Sequence, residues 1–205
     1  MWNTPTLQIH DGQHVQLRPL AATADVAQLY TAGHRTPLHL GIWRYLPYGP
    51  FRDQTAMHDW LVTCQASRDP LFHVVYDRAR QRLVGIITIM SIVPEFGRAE
   101  LGHIWYDTDV HRSRVNTESA FLLLSYLFDT LSYRRVEWKC DNRNEASKAA
   151  ARRLGFSYEG TFRKHMIVKH HNRDTAWFSI TDDEWLTQRQ RFAQYLAGEI
   201  AHLGW

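Results

Sequence analysis

The stretch Tyr106–Glu118, YDTDVHRSRVNTE, decides how the rest of the chain is read. An apolar, strand-like run ends in a polar loop, and the loop enters a helix. A helix start presents unpaired N–H groups and the positive end of the macrodipole, so it suits phosphate. Arg112 and Arg114 add guanidinium forks that match a pyrophosphate. Ser113, Asn116 and Thr117 add short polar side chains. The same residues also read as a solvated loop that carries two arginines, and spacing alone leaves both readings open.

Working outward, Thr117–Ser132 is expected to be helical, with Ala120, Leu123, Leu124, Leu127 and Leu131 on one face. Asn116 or Thr117 is the expected cap, with Glu118 suited to the first turn. Upstream, Leu71–Tyr76, Leu83–Val93 and Ala99–Tyr106 read as strands, with hairpin connections at Asp77–Arg82 and Pro94–Arg98. Downstream, Arg134–Cys140 alternates strictly, as a half-buried strand does. Asn144–Leu154 reads as a helix with Asn144 as N-cap and Gly155 just past its end. Phe156–Val168 and Thr175–Thr181 are two further strands. Thr181 and Glu184 form a capping box that opens a last helix. At the front, His14–Leu20 is a strand, Ala24–Gly33 and Asp53–Ser67 are helices, and Pro37–Phe51 is irregular. Strand–helix–strand units joined to hairpins imply a mixed α/β sheet.

With 205 residues, 44% hydrophobic and 22% charged, the chain reads as one ordinary globular domain spanning 1–205. Its core is expected over about 14–185, with the C-terminal helix over about 182–203. No apolar run approaches the ~20 residues that a bilayer needs, and the first residues lack signal-peptide character. Cys64 and Cys140 lie in apolar stretches and read as reduced core thiols, so a cytoplasmic protein is the default expectation. A net charge of +3 without a basic tract favours an anionic ligand over nucleic acid.

Five segments together resemble the GNAT acetyltransferase superfamily, within it the RimJ/RimL-like branch. AELGHIWYD (Ala99–Asp107) is similar to the branch's fourth strand, splayed from the fifth by a bulge. HRSRVNTES (His111–Ser119) falls where the family has its pyrophosphate loop. NEASKAAARRLGF (Asn144–Phe156) is similar to its Asn-x-x-Ser helix. EGTFRKH (Glu159–His165) and RDTAWFSI (Arg173–Ile180) are similar to its last two strands. The resemblance implies a mixed, mostly antiparallel central sheet with a splayed fourth/fifth strand pair, flanked by helices. It implies acetyl-CoA as cosubstrate, and the spacing of His165, His170 and His171 fits no zinc pattern, so no metal is expected. Backbone groups near Trp105, Tyr106 and Asp107 would hold the pantetheine arm. Arg112, Ser113, Arg114, Val115, Asn116 and Thr117 would hold the phosphates, and Asn144 and Ser147 would flank the thioester.

Two departures stand out. Arg112 and Arg114 occupy the positions of the superfamily's commoner Gly-x-Gly, so their side chains are expected to replace part of the backbone cradle. Asn116 is the loop residue that best tolerates positive φ. Ala151 stands where some members place a thiolate-protonating tyrosine, so Ser147 is the expected donor to the leaving sulfur. Ser147 also reads as a residue serving its own helix end. Glu100, through water, and His165 are candidate bases. Glu100 equally reads as paired with a cation across the sheet, and His165 as a surface strand residue. His103 would point to the other side of a regular strand. Trp43, Tyr45 and Tyr48 read as an acceptor wall or as the core beneath their loop.

The function implied is acetyl transfer to a primary amine, either a protein N-terminus of ribosomal type or a small amine or amino-acid-like metabolite. A catalytically silent acyl-CoA-binding sensor is the alternative. Neither nucleic acid nor membrane is an expected partner. The last helix either packs on its own domain or contributes to a homodimer.

Overall fold

The structure is a computed structural model and describes residues 1–203. One eight-stranded sheet runs through it. Its strands are β1 (His10–Asp11), β2 (Val15–Pro19), β3 (Leu71–Asp77), β4 (Arg82–Val93), β5 (Arg98–Tyr106), β6 (Arg135–Asp141), β7 (Ser157–Val168) and β8 (His171–Thr181), in the order β1-β2-β3-β4-β5-β6-β8-β7. All neighbours are antiparallel except β5 and β6. The helices are α1 (Ala22–His34), α2 (Gln54–Gln65), α3 (Arg114–Ser125), α4 (Glu145–Arg153) and α5 (Asp182–Ala197). None of the helices is long and apolar enough to cross a membrane. The two-residue β1 was not expected, and it makes the splayed pair the fifth and sixth strands.

Alternation along the central strands sends side chains to two cores, one on each face. On one face Val74 and Ile86 join Leu29, Trp43, Met57 and Leu61 beneath α1 and α2. On the other, Val75 and Ile87 join Leu123, Leu124, Leu127 and Phe192 beneath α3 and α5. The β3–β4 turn is held by Asp77, whose carboxylate accepts from the Ala79 and Arg80 N–H groups at 2.9 and 3.2 Å.

Several boundaries differ from the sequence reading: α1 begins at Ala22 rather than Ala24 and β8 at His171 rather than Thr175. Pro37–Tyr45 is a 3-10 helix rather than irregular, with Pro37 in its first turn. The α3 helix begins at Arg114, three residues early, because Ser113 caps it: its Oγ accepts from Val115 N–H at 3.2 Å. Asn116 and Thr117 therefore lie inside the helix, which continues into a π-helical turn at Tyr126–Thr130. The last helix stops at Ala197 because Gly198 takes a left-handed conformation, φ 81°. Its capping box forms as expected, with Glu184 accepting from Thr181 N–H at 2.9 Å. It packs on its own fold through Phe192 against Phe121 and Trp185 against Phe128.

Candidate active site

The site begins where β5 and β6 part. They pair in parallel only at Arg98–Arg135, Ala99–Val136 and Glu100–Glu137. Beyond Glu100 the β6-facing edge of β5 has no strand partner among the described residues. A bulge bends β5 there: the register against β4 shifts between Gly102 and Trp105, and His103 sits at φ 49°. The bulge that the resemblance implied is present, and it removes the regular alternation on which the expected direction of His103 rested. The His103 imidazole stacks on Tyr48 and bonds its hydroxyl at 3.1 Å, and burial lowers its pKa.

The next residues of β5 turn inward. Trp105 is buried against Trp43, with ring centroids 4.9 Å apart, and Tyr106 is buried too. The Asp107 carboxylate meets Arg82 at 2.7 Å, His39 at 3.1 Å and Arg35 at 3.3 Å, and accepts from Asp109 N–H at 2.9 Å. Burial alone would raise this carboxyl, but those donors outweigh it and hold its pKa below the usual value. Its side chain therefore serves the fold. His39, Asp107 and Asp109 are close enough to share a cation. Arg35 and Arg82 already supply two positive charges to the two carboxylates.

Across the mouth lies the start of α3. Arg112 adopts φ 60°, the left-handed conformation that a glycine would take there. Asn116, which tolerates positive φ better than most residues, lies inside the helix instead. The Arg114 guanidinium lies 5.7 Å over the Tyr195 ring of α5. Val115 is a core residue, and the Asn116 Oδ1 is buried without a partner. The Thr117 hydroxyl accepts from the Arg153 guanidinium of α4 at 2.7 Å. Sequence reading missed Arg153. Burial lowers its pKa, and no carboxylate pairs with it among the described residues. A half-buried cation without a counter-charge, beside a helix start, an orphaned amide oxygen and the exposed Arg112, fits a phosphate-bearing group. The only sequence signal for it is one arginine in ARRLGF.

The α4 helix opens on the opposite lip. Asn144 Oδ1 accepts from Ser147 N–H at 3.1 Å, the capping role foreseen. The Ser147 hydroxyl accepts from Trp138 Nε1 at 3.0 Å, so its proton points away from Trp138. It also lies beside Cys140, whose thiol is pushed up by burial and drawn back by Ser147. Glu100 is buried on β5 and accepts from Lys139 at 2.8 Å and Ser91 at 3.0 Å, the cross-sheet pairing that the sequence left open. Burial raises its pKa against the pull of Lys139. His165 is exposed on β7, bonded to the Thr175 hydroxyl at 3.0 Å. The whole of β8 separates β7 from the cleft.

The aromatic loop divides in two. Trp43 is fully buried, donates to Gly33 C=O at 3.0 Å and packs on Phe51, so it belongs to the core beneath the loop. Tyr48 stacks on Trp60 at 4.2 Å and joins the same cluster. Tyr45 instead faces a cavity of about 460 Å³ between this loop, the end of β6 and the β7–β8 turn. Its hydroxyl donates to Arg143 C=O at 3.1 Å. Lys169 clamps the other side, donating to Trp43 C=O at 2.7 Å and to Gly49 C=O at 2.5 Å.

Arg112→Gly and Arg112→Ala separate the two roles of this residue. Glycine relieves the left-handed backbone and should raise stability by about 1 kcal/mol, whereas alanine should not. Both should weaken acetyl-CoA binding, more so at low salt. Calorimetric titration beside thermal melts checks this, and unchanged cofactor affinity in both variants refutes it.

A family model described as "Acetyltransferase (GNAT) domain" matches residues 14–157. The chain is 25% identical over 178 residues to "Putative ribosomal N-acetyltransferase YdaF" of Bacillus subtilis (strain 168), covering 84% of this chain and 94% of that protein. A GCN5-related N-acetyltransferase from Brucella melitensis superposes with a TM-score of 0.94 at 38% identity, over 97% of this chain and 89% of its own. A GNAT-family structure from Chromobacterium violaceum superposes at 0.81 with 40% identity, over 90% and 91% of the two chains. The chain belongs to the GNAT acetyltransferase family, on its RimJ/RimL-like branch.

Proposed function

We propose that this protein is an acetyl-CoA-dependent N-acetyltransferase that moves an acetyl group directly to a primary amine. The observation that carries this reading is the parting of β5 and β6 beyond Glu100 and Glu137, flanked by the starts of α3 and α4. The free edge of β5 can pair with an amide-bearing arm, and the α3 start with Arg112 and Arg153 can hold phosphates. Acetyl-CoA supplies the activated thioester.

The chain's own residues then divide the work. The acceptor must present a neutral nitrogen. Glu100, raised by burial, takes the amine's proton through water. The Ser147 hydroxyl faces the leaving sulfur, with Trp138 bonded to its oxygen from behind. A nitrogen–carbon bond forms, the carbon–sulfur bond breaks, and the proton lost by nitrogen is balanced by one gained at sulfur. Direct transfer is favoured because both cysteines are buried and poor nucleophiles, with burial pushing the Cys64 thiol up to about 12. His165, a strand away, has no part in this scheme. The bounded cavity beside Tyr45 favours a small acceptor, while the curated relative's designation points to a ribosomal N-terminus.

The test combines binding with turnover. Acetyl-CoA at about 100 times its dissociation constant adds ~2.7 kcal/mol of stability, a rise of several degrees in Tm. Ser147→Ala should keep that rise and lower kcat about 100-fold in thiol release. Ser147→Thr should restore part of the rate, which a purely structural role through Trp138 would not require. Binding without turnover on any amine would favour the silent sensor, and no rise in Tm would overturn both readings.

A further inference from the structure

The cavity beside Tyr45 carries more positive charge than an amine-binding pocket needs. Arg44, Arg143 and Lys169 line it, with Asp141 as its one carboxylate. Asp141 is already engaged: both its oxygens bond the Arg143 guanidinium, at 3.0 and 2.7 Å. Arg44 lies 5.3 Å over the Tyr45 ring, and neither it nor Lys169 has a carboxylate partner among the described residues. Lys169 is held in place by the two loop carbonyls, and one of its three N–H groups remains to be satisfied. Leu40, Trp43, Pro50 and Val168 supply the apolar part of the wall, and His171 adds an imidazole beside Lys169. Asp141 ends β6 three residues before Asn144, so the cavity stands at the mouth of the β5/β6 cleft.

A bare or multiply charged amine would be repelled here, because like charges in a partly enclosed site raise the cost of entry. Resting on the acetyltransferase reading, we infer that the acceptor carries an anionic group, a carboxylate or a phosphate, close to its amine. Arg44 and Lys169 hold that group, and the amine points back toward the thioester between Ser147 and β5. Amino-acid-like acceptors satisfy this, and polyamines do not.

The experiment is a matched panel followed by thiol release: the common L-amino acids, their carboxamides and the corresponding decarboxylated amines, with phosphoethanolamine against ethanolamine. The carboxamides have the less basic amine, so the uncatalysed reaction favours them and any preference for the acids must come from the protein. The expected result is a kcat/KM at least tenfold higher for the acids, or for the phosphate pair's anionic member, declining as salt rises. The two arms separate carboxylate from phosphate. Arg44→Gln, on the cavity rim, should bring the acid-to-amide ratio near one while leaving the acetyl-CoA rise in Tm intact. Lys169→Met should act in the same direction. A preference for amides or bare amines, or no turnover of any anionic member, overturns the inference while the Tm rise keeps the acetyltransferase reading. Loss of the Tm rise in the parent protein sinks that reading instead.

Discussion

Glu118→Ala is expected to lower the melting temperature by about 10 °C, through a loss of roughly 3–5 kcal/mol. Its carboxylate accepts three backbone N–H groups at the start of β2: Gln13 at 2.9 Å, His14 at 2.6 Å and Val15 at 2.7 Å. The side chain is buried, with only 3% of the residue exposed. Gly12 packs so closely on the carboxylate that a Cβ there would lie 2.5 Å from it. Removing the carboxylate leaves three donors without their acceptor, and each buried unpaired donor costs on the order of 1–3 kcal/mol. Glu118→Gln should fare little better, because half of its amide turns a donor toward donors. Glu118 lies on the first turns of α3, so the bond set also ties the proposed phosphate-binding helix to the sheet. Thermal melts and hydrogen exchange at Gln13–Val15 check this. A Tm within two degrees of the parent in both variants would rule out the anchoring role.

Acid should destabilise the protein well before its carboxylates protonate. His73 is fully buried in β3, its two ring nitrogens have no partner, and the His10 ring lies 5.4 Å away. Burial first, and the neighbouring His10 second, lower its pKa from 6.5 to about 3. Burial lowers His10 in the same direction. The folded state therefore keeps His73 neutral where the unfolded chain binds a proton. Stability is complete above pH 6.5, is lost as pH falls below it, and the loss levels off near pH 3. One pKa unit corresponds to ~1.4 kcal/mol, so His73 alone costs about 2 kcal/mol at pH 5 and more than twice that near pH 3. The expected fall in Tm between pH 7.5 and pH 5 is about 4–8 °C from this residue. His73→Leu should flatten that slope. An unchanged slope in the variant would show that the acid sensitivity arises elsewhere.

Much of the site was legible because its signals are local. Asn144 sits at the start of a helix whose end is marked by Gly155, and capping is decided by the few residues on either side. The Thr181–Glu184 box formed for the same reason. The start of α3 was less legible, since Ser113, Asn116 and Thr117 are all competent caps and only the backbone path chooses among them. The left-handed residue went to Arg112, against its own preference, because the turn between Val110 and Ser113 lies where it does. Tyr45 and Trp43, two residues apart, both border the cavity, but Trp43 is fully buried and packed on Trp105 while the Tyr45 hydroxyl reaches Arg143. Nothing in the aromatic content of Pro37–Phe51 could have sorted them.

The sequence by itself determined most of the order of elements, the two-faced character of the central strands, the start of α4 beside the cleft and the family likeness. Those properties rest on periodicity and capping, which act over a few residues. Only the tertiary structure decided which distant groups meet. It paired Glu100 with Lys139, gave Glu118 to the amides of Gln13–Val15, and set Arg153 against Thr117. It also closed a cationic cavity from a 3-10 helix, a strand end and a hairpin turn. Contacts of that kind depend on where whole elements come to rest, and the free energy that places them is spread over two cores rather than written in any one segment.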